Sequence, residues 1–353
     1  MTDGAGPSAT ADVAYGIDIG GTKVLGVALG PEQRVLVEAR VSTPTGPTQG
    51  TDVGRDVAGA VAEVVAQLDA ASGAGAGSGG AGVGAGASPL SPGGAPPIGV
   101  GAPGMVDRTG RLRFSPNLPQ AHGVDWGVLL SEQMPQRRFV IENDANLAAL
   151  AEHRLGAGRG FDHVLTVTLG TGIGGALIAD GRLRVGGHGY AGEIGHMVVD
   201  PAGPPCPCGR RGCWERYASG GGLGLLAREA AMAGRLPAVV ALAGGDPESV
   251  RGEDVTAAAL AGDDDARQVI EEVGWWIGFG LANLACVLDP QRIVLGGGLL
   301  AAGELWLDAA RTAYTDLVEG GTAREPVDIV PAAFGEQAGA VGGAVAAAQG
   351  GLW

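Results

Sequence analysis

The chain has 353 residues, 67 of them glycine, and a formal net charge of -15. At about 150 residues per domain the length predicts two domains, each with its own core. The acidic balance excludes a nucleic-acid surface, which needs clustered Lys and Arg. Residues 1–10 lack the basic and apolar stretches of a signal peptide, and no apolar run approaches 18 residues. The expected setting is therefore a reducing cytoplasm, with no membrane partner.

Residues 14–37 read as a strand, a Gly-Gly-Thr turn, a second strand over 24–29, a turn at Gly30-Pro31-Glu32 and a third strand over 35–39. An apolar helix over 53–68 follows. Residues 70–97, nearly all Gly, Ala, Ser and Pro, predict a flexible surface insertion within a loop. A strand at 98–100 resumes the pattern. Further on, the β-branched Val140-Ile141 leads into Glu142-Asn143-Asp144, where a helix over 145–155 begins. Residues 163–185 then repeat the opening: a strand over 164–169, a Gly170-Thr171-Gly172 turn, a strand over 174–179, a turn at Asp180-Gly181 and a strand over 182–185. The matched order predicts two related α/β halves facing a common cleft. Chance recurrence of Gly-rich hairpins is the competing account.

Several of these turns carry chemistry. In Asp18-Ile19-Gly20-Gly21-Thr22-Lys23, paired glycines let backbone N–H groups approach an anion, Thr22 and Lys23 add a hydroxyl and a charge, and Asp18 offers a ligand for a metal ion or its waters. Gly170 to Gly172 repeats that vocabulary, and Gly296-Gly297-Gly298 follows a short strand where it can border a nucleotide. Asp144, at the end of a strand, is placed to accept a hydroxyl proton in phosphoryl transfer, while Asn143 or Asp144 can also serve as a helix cap.

Cys206, Cys208 and Cys213 are three of only four cysteines, and His196 lies ten residues ahead of the first. Together they supply the four ligands of a closed, structural zinc site. Cys206 and Cys208, with only Pro207 between them, make a poor disulfide pair. The fourth cysteine, Cys286, lies in an apolar run and is expected to be an inert core thiol. Glu193 and Glu215 bracket the zinc segment, so a metal-held loop would present both acids to sugar hydroxyls.

Taken together, these segments resemble the ROK family of repressors, open-reading-frame products and sugar kinases, and most closely its bacterial ATP-dependent glucokinases. The resemblance runs from about Tyr15 to Ala346 and rests on residues 18–23, Gly101-Ala102-Pro103-Gly104, residues 142–146, 170–175, 193–196, the 206–215 cysteine motif, and the closing segment 335–342. It implies an α/β, two-domain, actin-like ATPase (ribonuclease-H-like) fold with a central cleft and a zinc-stapled loop. The smaller domain would span 10–142, the larger 143–335, and a terminal helix over 336–350 would pack back on the first.

The resemblance further implies ATP-dependent phosphorylation of glucose at its 6-hydroxyl. Asp144 would be the general base, and Asn117, Asn143, Glu193, His196 and Glu215 would bind the sugar. Asp18, Gly20, Gly21, Thr22, Lys23, Gly170, Thr171 and Gly172 would serve Mg²⁺ and the phosphates, Gly296 to Gly298 the adenosine, and His196, Cys206, Cys208 and Cys213 the zinc. A homodimer or homotetramer is implied. Another hexose, polyphosphate as donor, or a sugar-responsive regulator are the alternatives. Only 17 residues precede Asp18, which leaves no room for the helix-turn-helix module of a regulator. The linker 119–124 is longer than the family pattern and bears on hexose choice.

Overall fold

The computed structural model describes residues 13–44, 51–73, 94–115 and 118–352. In chain order the elements are β1 (Ala14–Ile19), β2 (Lys23–Leu29), β3 (Val35–Ser42), α1 (Thr51–Ser72), β4 (Ile98–Ala102), β5 (Met105–Val106), β6 (Leu112–Phe114), α2 (Trp126–Gln133), β7 (Phe139–Asn143), α3 (Asp144–Leu155), β8 (Val164–Leu169), β9 (Ile173–Ala179), β10 (Arg182–Leu183), α4 (Glu215–Ala218), α5 (Gly220–Met232), α6 (Pro237–Leu242), α7 (Gly252–Leu260), α8 (Asp264–Leu288), β11 (Arg292–Gly296), α9 (Gly303–Leu317), β12 (Asp328–Pro331) and α10 (Ala338–Ala348). Most of the expected 70–97 insertion lies outside the described residues, but its first residues extend α1 as far as Ser72.

The chain divides into two compact units. The first comprises residues up to Arg159, 182–191 and from Glu336 onward; the second comprises 160–181 and 192–335. This corrects the expected boundary at 143. Helix α3 packs against α10 and β4, so it stays with the first unit. Residues 182–191 join it too, since Arg108 Nη2 donates to the Gly186 carbonyl at 2.7 Å. Helix α10 packs on β1 and β4 of this unit.

In the first unit the sheet order is β3-β2-β1-β4-β7, antiparallel across β1 to β3 and parallel across β1, β4 and β7. Alternating side chains give each face its own helix. Gly26 faces Val64 of α1, whereas Gly16 faces Ala340 of α10. The second face is a glycine seam: a Cβ on Gly16 would stand 1.7 Å from the Ala340 carbonyl oxygen, and one on Gly342 would stand 1.7 Å from that of Leu147. Backbone meets backbone there, so any side chain is excluded. The core gathers Tyr15, Ile17, Ile19, Val61, Leu68 and Trp126.

In the second unit the order is β9-β8-β11-β12. Strands β8, β11 and β12 are parallel, and β9 is antiparallel to β8. Each unit thus opens on an antiparallel hairpin and completes its sheet with two parallel strands, the repeat read from the sequence. Its core is built on Leu165, Val167, Trp214, Ile277, Leu281 and Trp306. Cys286 is exposed on α8, not buried as expected. The apolar run around it is amphipathic: Leu281, Leu284 and Ala285 turn inward, while Cys286 and Val287 fall on the outer face. No described helix is long and apolar enough to cross a membrane.

Candidate active site

In the first unit, strand register sets out the acidic group. Asp18 of β1 lies opposite Gly101 of β4, which lies opposite Glu142 of β7, all at the C-terminal ends of parallel strands. Such ends are where open α/β sheets bind ligands. Gly101 keeps the row open, since a Cβ there would reach 3.4 Å from both the Asp144 Cα and Asp18 Oδ1. Asp144 is the first residue of α3, and Asn143 is its N-cap, accepting from the Asn146 N–H at 3.0 Å. Asn143 Nδ2 donates to the Gly104 carbonyl at 3.0 Å. Capping by Asn143 is therefore real, and Asp144 is left uncommitted to it.

Asp18 and Asp144 are partly buried. Both carboxyls are raised well above the usual range. For Asp18 burial is the chief cause and the charge of Asp144 adds to it, with Lys23 opposing. For Asp144 burial again leads, opposed by hydrogen bonds from the Ala145 and Asp144 backbone and the Asn143 side chain. Two such carboxyls favour holding a proton or a cation between them.

The first glycine turn closes with the Gly20 N–H on the Lys23 carbonyl at 2.9 Å. Thr43, buried behind it, donates its hydroxyl to the Gly20 carbonyl at 2.7 Å and its N–H to that of Thr22 at 3.0 Å. Thr43 gave no signal in the sequence because the brace spans 23 residues. Lys23 ion-pairs with Glu336, from the segment leading into α10. Its charge is thus balanced within the unit.

In the second unit the Gly170-Thr171-Gly172 turn rests on the start of α5. The Gly220 N–H donates to the Gly170 carbonyl at 2.8 Å, and the Ser219 hydroxyl to that of Thr171 at 3.0 Å. Ser219 also caps α5 through the Gly222 N–H at 3.0 Å. Gly297, with φ of 92°, lies so close to Leu169 that a Cβ would stand 2.3 Å from its carbonyl oxygen. Beside these turns lies a cavity of about 870 Å³, lined among others by Thr171, Leu223, Arg228, Thr256, Leu260 and Leu299. That is within the range of small-molecule sites. Residues 219–260 of this wall were not singled out in the sequence.

His196, Cys206, Cys208 and Cys213 come together as a group that could hold a metal ion. One donor atom from each of His196, Cys206, Cys208 and Cys213 lies within 4.8 Å of every other. His196 Nδ1 stands 3.7 Å from Cys206 Sγ, and Cys208 Sγ stands 3.6 Å from Cys213 Sγ. Around one tetrahedral zinc, sulfurs stand about 3.8 Å apart and a sulfur and an imidazole nitrogen about 3.6 Å. The donor set and its spacing fit that ion. Cross-links brace the loop: the Cys206 N–H donates to the Arg210 carbonyl at 2.8 Å, Trp214 N–H to that of Met197 at 2.8 Å, and Arg210 Nη2 to that of His196 at 2.8 Å.

Glu215 begins α4 directly after this knuckle. Its Oε1 accepts from Cys206 Sγ at 3.0 Å and lies 3.5 Å from His196 Nδ1. Its Oε2 sits over the second glycine turn, 2.5 Å from where a Cβ on Gly172 would be. Glu193 Oε2 lies 3.9 Å from His196 Nε2. The zinc ligands, Glu193, Glu215 and the second turn thus form one group in the second unit. Asp18, Gly20 to Lys23, Asn143 and Asp144 form another in the first. Asn117 lies outside the described residues.

The ROK family profile matches residues 91–350. A glucokinase of Streptomyces coelicolor is 36% identical over 94% of this chain and 96% of its own length. The crystal structure of a ROK family glucokinase from Streptomyces griseus, in complex with glucose and AMPPNP, superposes with a TM-score of 0.79 at 34% identity, covering 96% of this chain and 99% of that one. The xylose repressor of Bacillus subtilis is 30% identical over 72% of this chain but only 61% of its own length. The α/β fold expected from the sequence, with its actin-like architecture, is the fold of these proteins.

Proposed function

The chain belongs to the ROK family, and from that premise we propose that it transfers the γ-phosphoryl group of ATP to the 6-hydroxyl of glucose. A phosphotransferase of the hexokinase type is the broader statement, and the choice of glucose is the finer one. The observation that carries the reading is Asp144: a partly buried carboxyl of raised pKa, at the strand ends beside Asp18, with its helix already capped by its neighbour. A general base works best with a pKa near the operating pH, and burial moves Asp144 in that direction.

In this reading Asp144 accepts the hydroxyl proton as the oxygen attacks the γ-phosphorus. Asn117, Asn143, Glu193, His196 and Glu215 bind the other sugar hydroxyls. Backbone N–H groups of residues 20–23 and 170–172 stabilise the phosphate charge, and Asp18 holds Mg²⁺ or its waters. Zinc, held by His196, Cys206, Cys208 and Cys213, would cross-link the loop that bears Glu193 and Glu215 and take no part in the chemistry. The cavity beside Gly170 and Gly298 favours a nucleotide over polyphosphate as donor, because Leu223, Leu260 and Leu299 offer apolar surface that only a base can use.

The test is ADP release by the zinc-replete protein with Mg-ATP and each of glucose, mannose, fructose, N-acetylglucosamine and N-acetylmannosamine. Glucose should be preferred, and Asp144→Asn should lower kcat by about 10²–10⁴ while glucose still binds. Activity on another hexose would keep the kinase and replace the sugar. Binding without turnover on any of them would favour a sugar-responsive regulator.

A further inference from the structure

Glu142 is a carboxylate to which the proposed reaction gives no task, yet it is only 7% exposed. Its Oε1 accepts from the Asn143 N–H at 2.8 Å and from Asn146 Nδ2 at 3.0 Å. Asn146, 1% exposed, donates its N–H to Asn143 Oδ1, and Asn143 Nδ2 donates to the Gly104 carbonyl. These bonds run from the turn after β4, through Asn143, and around Asp144 into the first turn of α3. A helix start requires only the Asn143 cap. Burying a carboxylate beside it is costly unless its lone pairs are used. The Glu142–Asn146 contact therefore exceeds what helix formation asks for, and it closes a ring around one residue.

We propose that Glu142 and Asn146 are positioning residues for Asp144, fixing the backbone of residues 143–146 so that its carboxylate meets the sugar hydroxyl in a single geometry. The proposal rests on the reading of Asp144 as the base. A misplacement of about 1 Å at such a site can cost on the order of 100-fold in rate. Burial raises the Glu142 carboxyl, the Asn143 and Asn146 bonds oppose that, and Arg108 opposes it from the turn between β5 and β6. Asp18 is the charged group coupled to Asp144, and Lys23 in turn acts on Asp18.

The pair is a donor–acceptor match that can be reversed, and reversal separates positioning from mere folding. Asn146→Asp sets two carboxyls face to face, so they must share a proton. The ring then holds in mild acid and opens as the pH rises. We expect kcat of this variant to fall about tenfold between roughly pH 6 and pH 8.5, a range over which the unmodified protein does not fall, with glucose KM changed less than about threefold. Adding Glu142→Gln exchanges the roles, the amide oxygen keeping the Asn143 N–H and the amide nitrogen donating to the new carboxylate, two bonds that Glu142 Oε1 alone accepts in the parent. The pH-dependent fall should disappear, and kcat at pH 8.5 should rise at least about threefold above Asn146→Asp. Glu142→Ala should lose about tenfold in kcat at every pH. The proposal is overturned if Asn146→Asp keeps the parent pH profile, if the double variant is no better than Asn146→Asp, or if the losses track melting temperature and vanish on cooling. Asp144→Asn is run alongside. If it stays active, the base assignment fails and takes the proposal with it; if it is inactive and the reversal still fails, only the positioning role is lost.

Discussion

Asp144 and Glu215 are held still in opposite ways. Around Asp144, regular structure does the holding: three parallel strands in register, a capped helix, a buried ring of hydrogen bonds, and the α10 seam behind. Around Glu215 there is little regular structure. Between β10 and α4 the only helical segment among the described residues is the short 3-10 turn Ile194–His196. That stretch is braced by loop hydrogen bonds such as Cys206 N–H to the Arg210 carbonyl, by Trp214, whose Nε1 donates to the Trp276 carbonyl at 2.7 Å, and by four converging donor atoms that a metal would join. A wall built on a sheet draws its rigidity from packing, whereas a wall built on a loop has to draw it from a cross-link.

Removing the metal should give the largest effect, and it should fall on one side only. Small zinc sites contribute about 10 kcal/mol or more of local folding free energy. Chelation, or Cys208→Ser, should therefore lower the melting temperature of the second unit and weaken glucose binding by at least about tenfold, followed by calorimetry and by titration with glucose. Proteolysis should then cut within 193–215 and spare the first unit. If the zinc-free protein keeps both its glucose affinity and its resistance to cleavage, the contrast between the two walls disappears.

The first wall should break at the seam instead. Gly342→Ala removes an α10 glycine, and the gain in helix propensity is about 1 kcal/mol. Against that, the new Cβ would stand 1.7 Å from the Leu147 carbonyl oxygen, and backbone cannot swing aside as a side chain can. Overlap wins, so a net loss of about 1–3 kcal/mol is expected in denaturant titrations. Helix α3 carries Asp144 and must shift with Leu147, so kcat should fall while the zinc content, assayed with a chromogenic chelator, stays that of the parent. Neutral or higher stability would mean that the helices are free to part.

How far the sequence disclosed this arrangement follows from the range of each interaction. The two hairpin openings, the α3 start and the His196, Cys206, Cys208 and Cys213 cluster were readable because each depends on neighbours within about a dozen residues. The cap on α3 was visible as an alternative to catalysis, and the structure shows Asn143 doing the capping and leaving Asp144 free of it. What stayed hidden is set by distant partners. The unit boundary moved because α3 is claimed by α10, almost two hundred residues later. Thr43 and Ser219 brace turns from outside any motif. Cys286 was misread because an apolar run on a long helix still has an outer face.

The smallest effect is in pH, and its sign differs between the walls. Asp18 and Asp144 have folded pKa values raised above the unfolded one of about 3.9. In the window between the two values the folded state binds more protons than the unfolded state. The stability they contribute is therefore complete below about pH 4 and lost as the pH rises through their folded values. The ligands of a zinc site act in reverse, because acid protonates them and expels the metal. Melting curves from about pH 4 to pH 7.5 should show the second unit gaining stability as the pH rises and the first unit losing some. Asp144→Asn removes the like charge that helps to raise Asp18, so the fall in the first unit should become shallower and begin at lower pH, with no change in the zinc-dependent rise. If the fall that remains still begins at the same pH as in the parent, the two carboxyls are not coupled. Asp18 would then owe its raised pKa to burial alone.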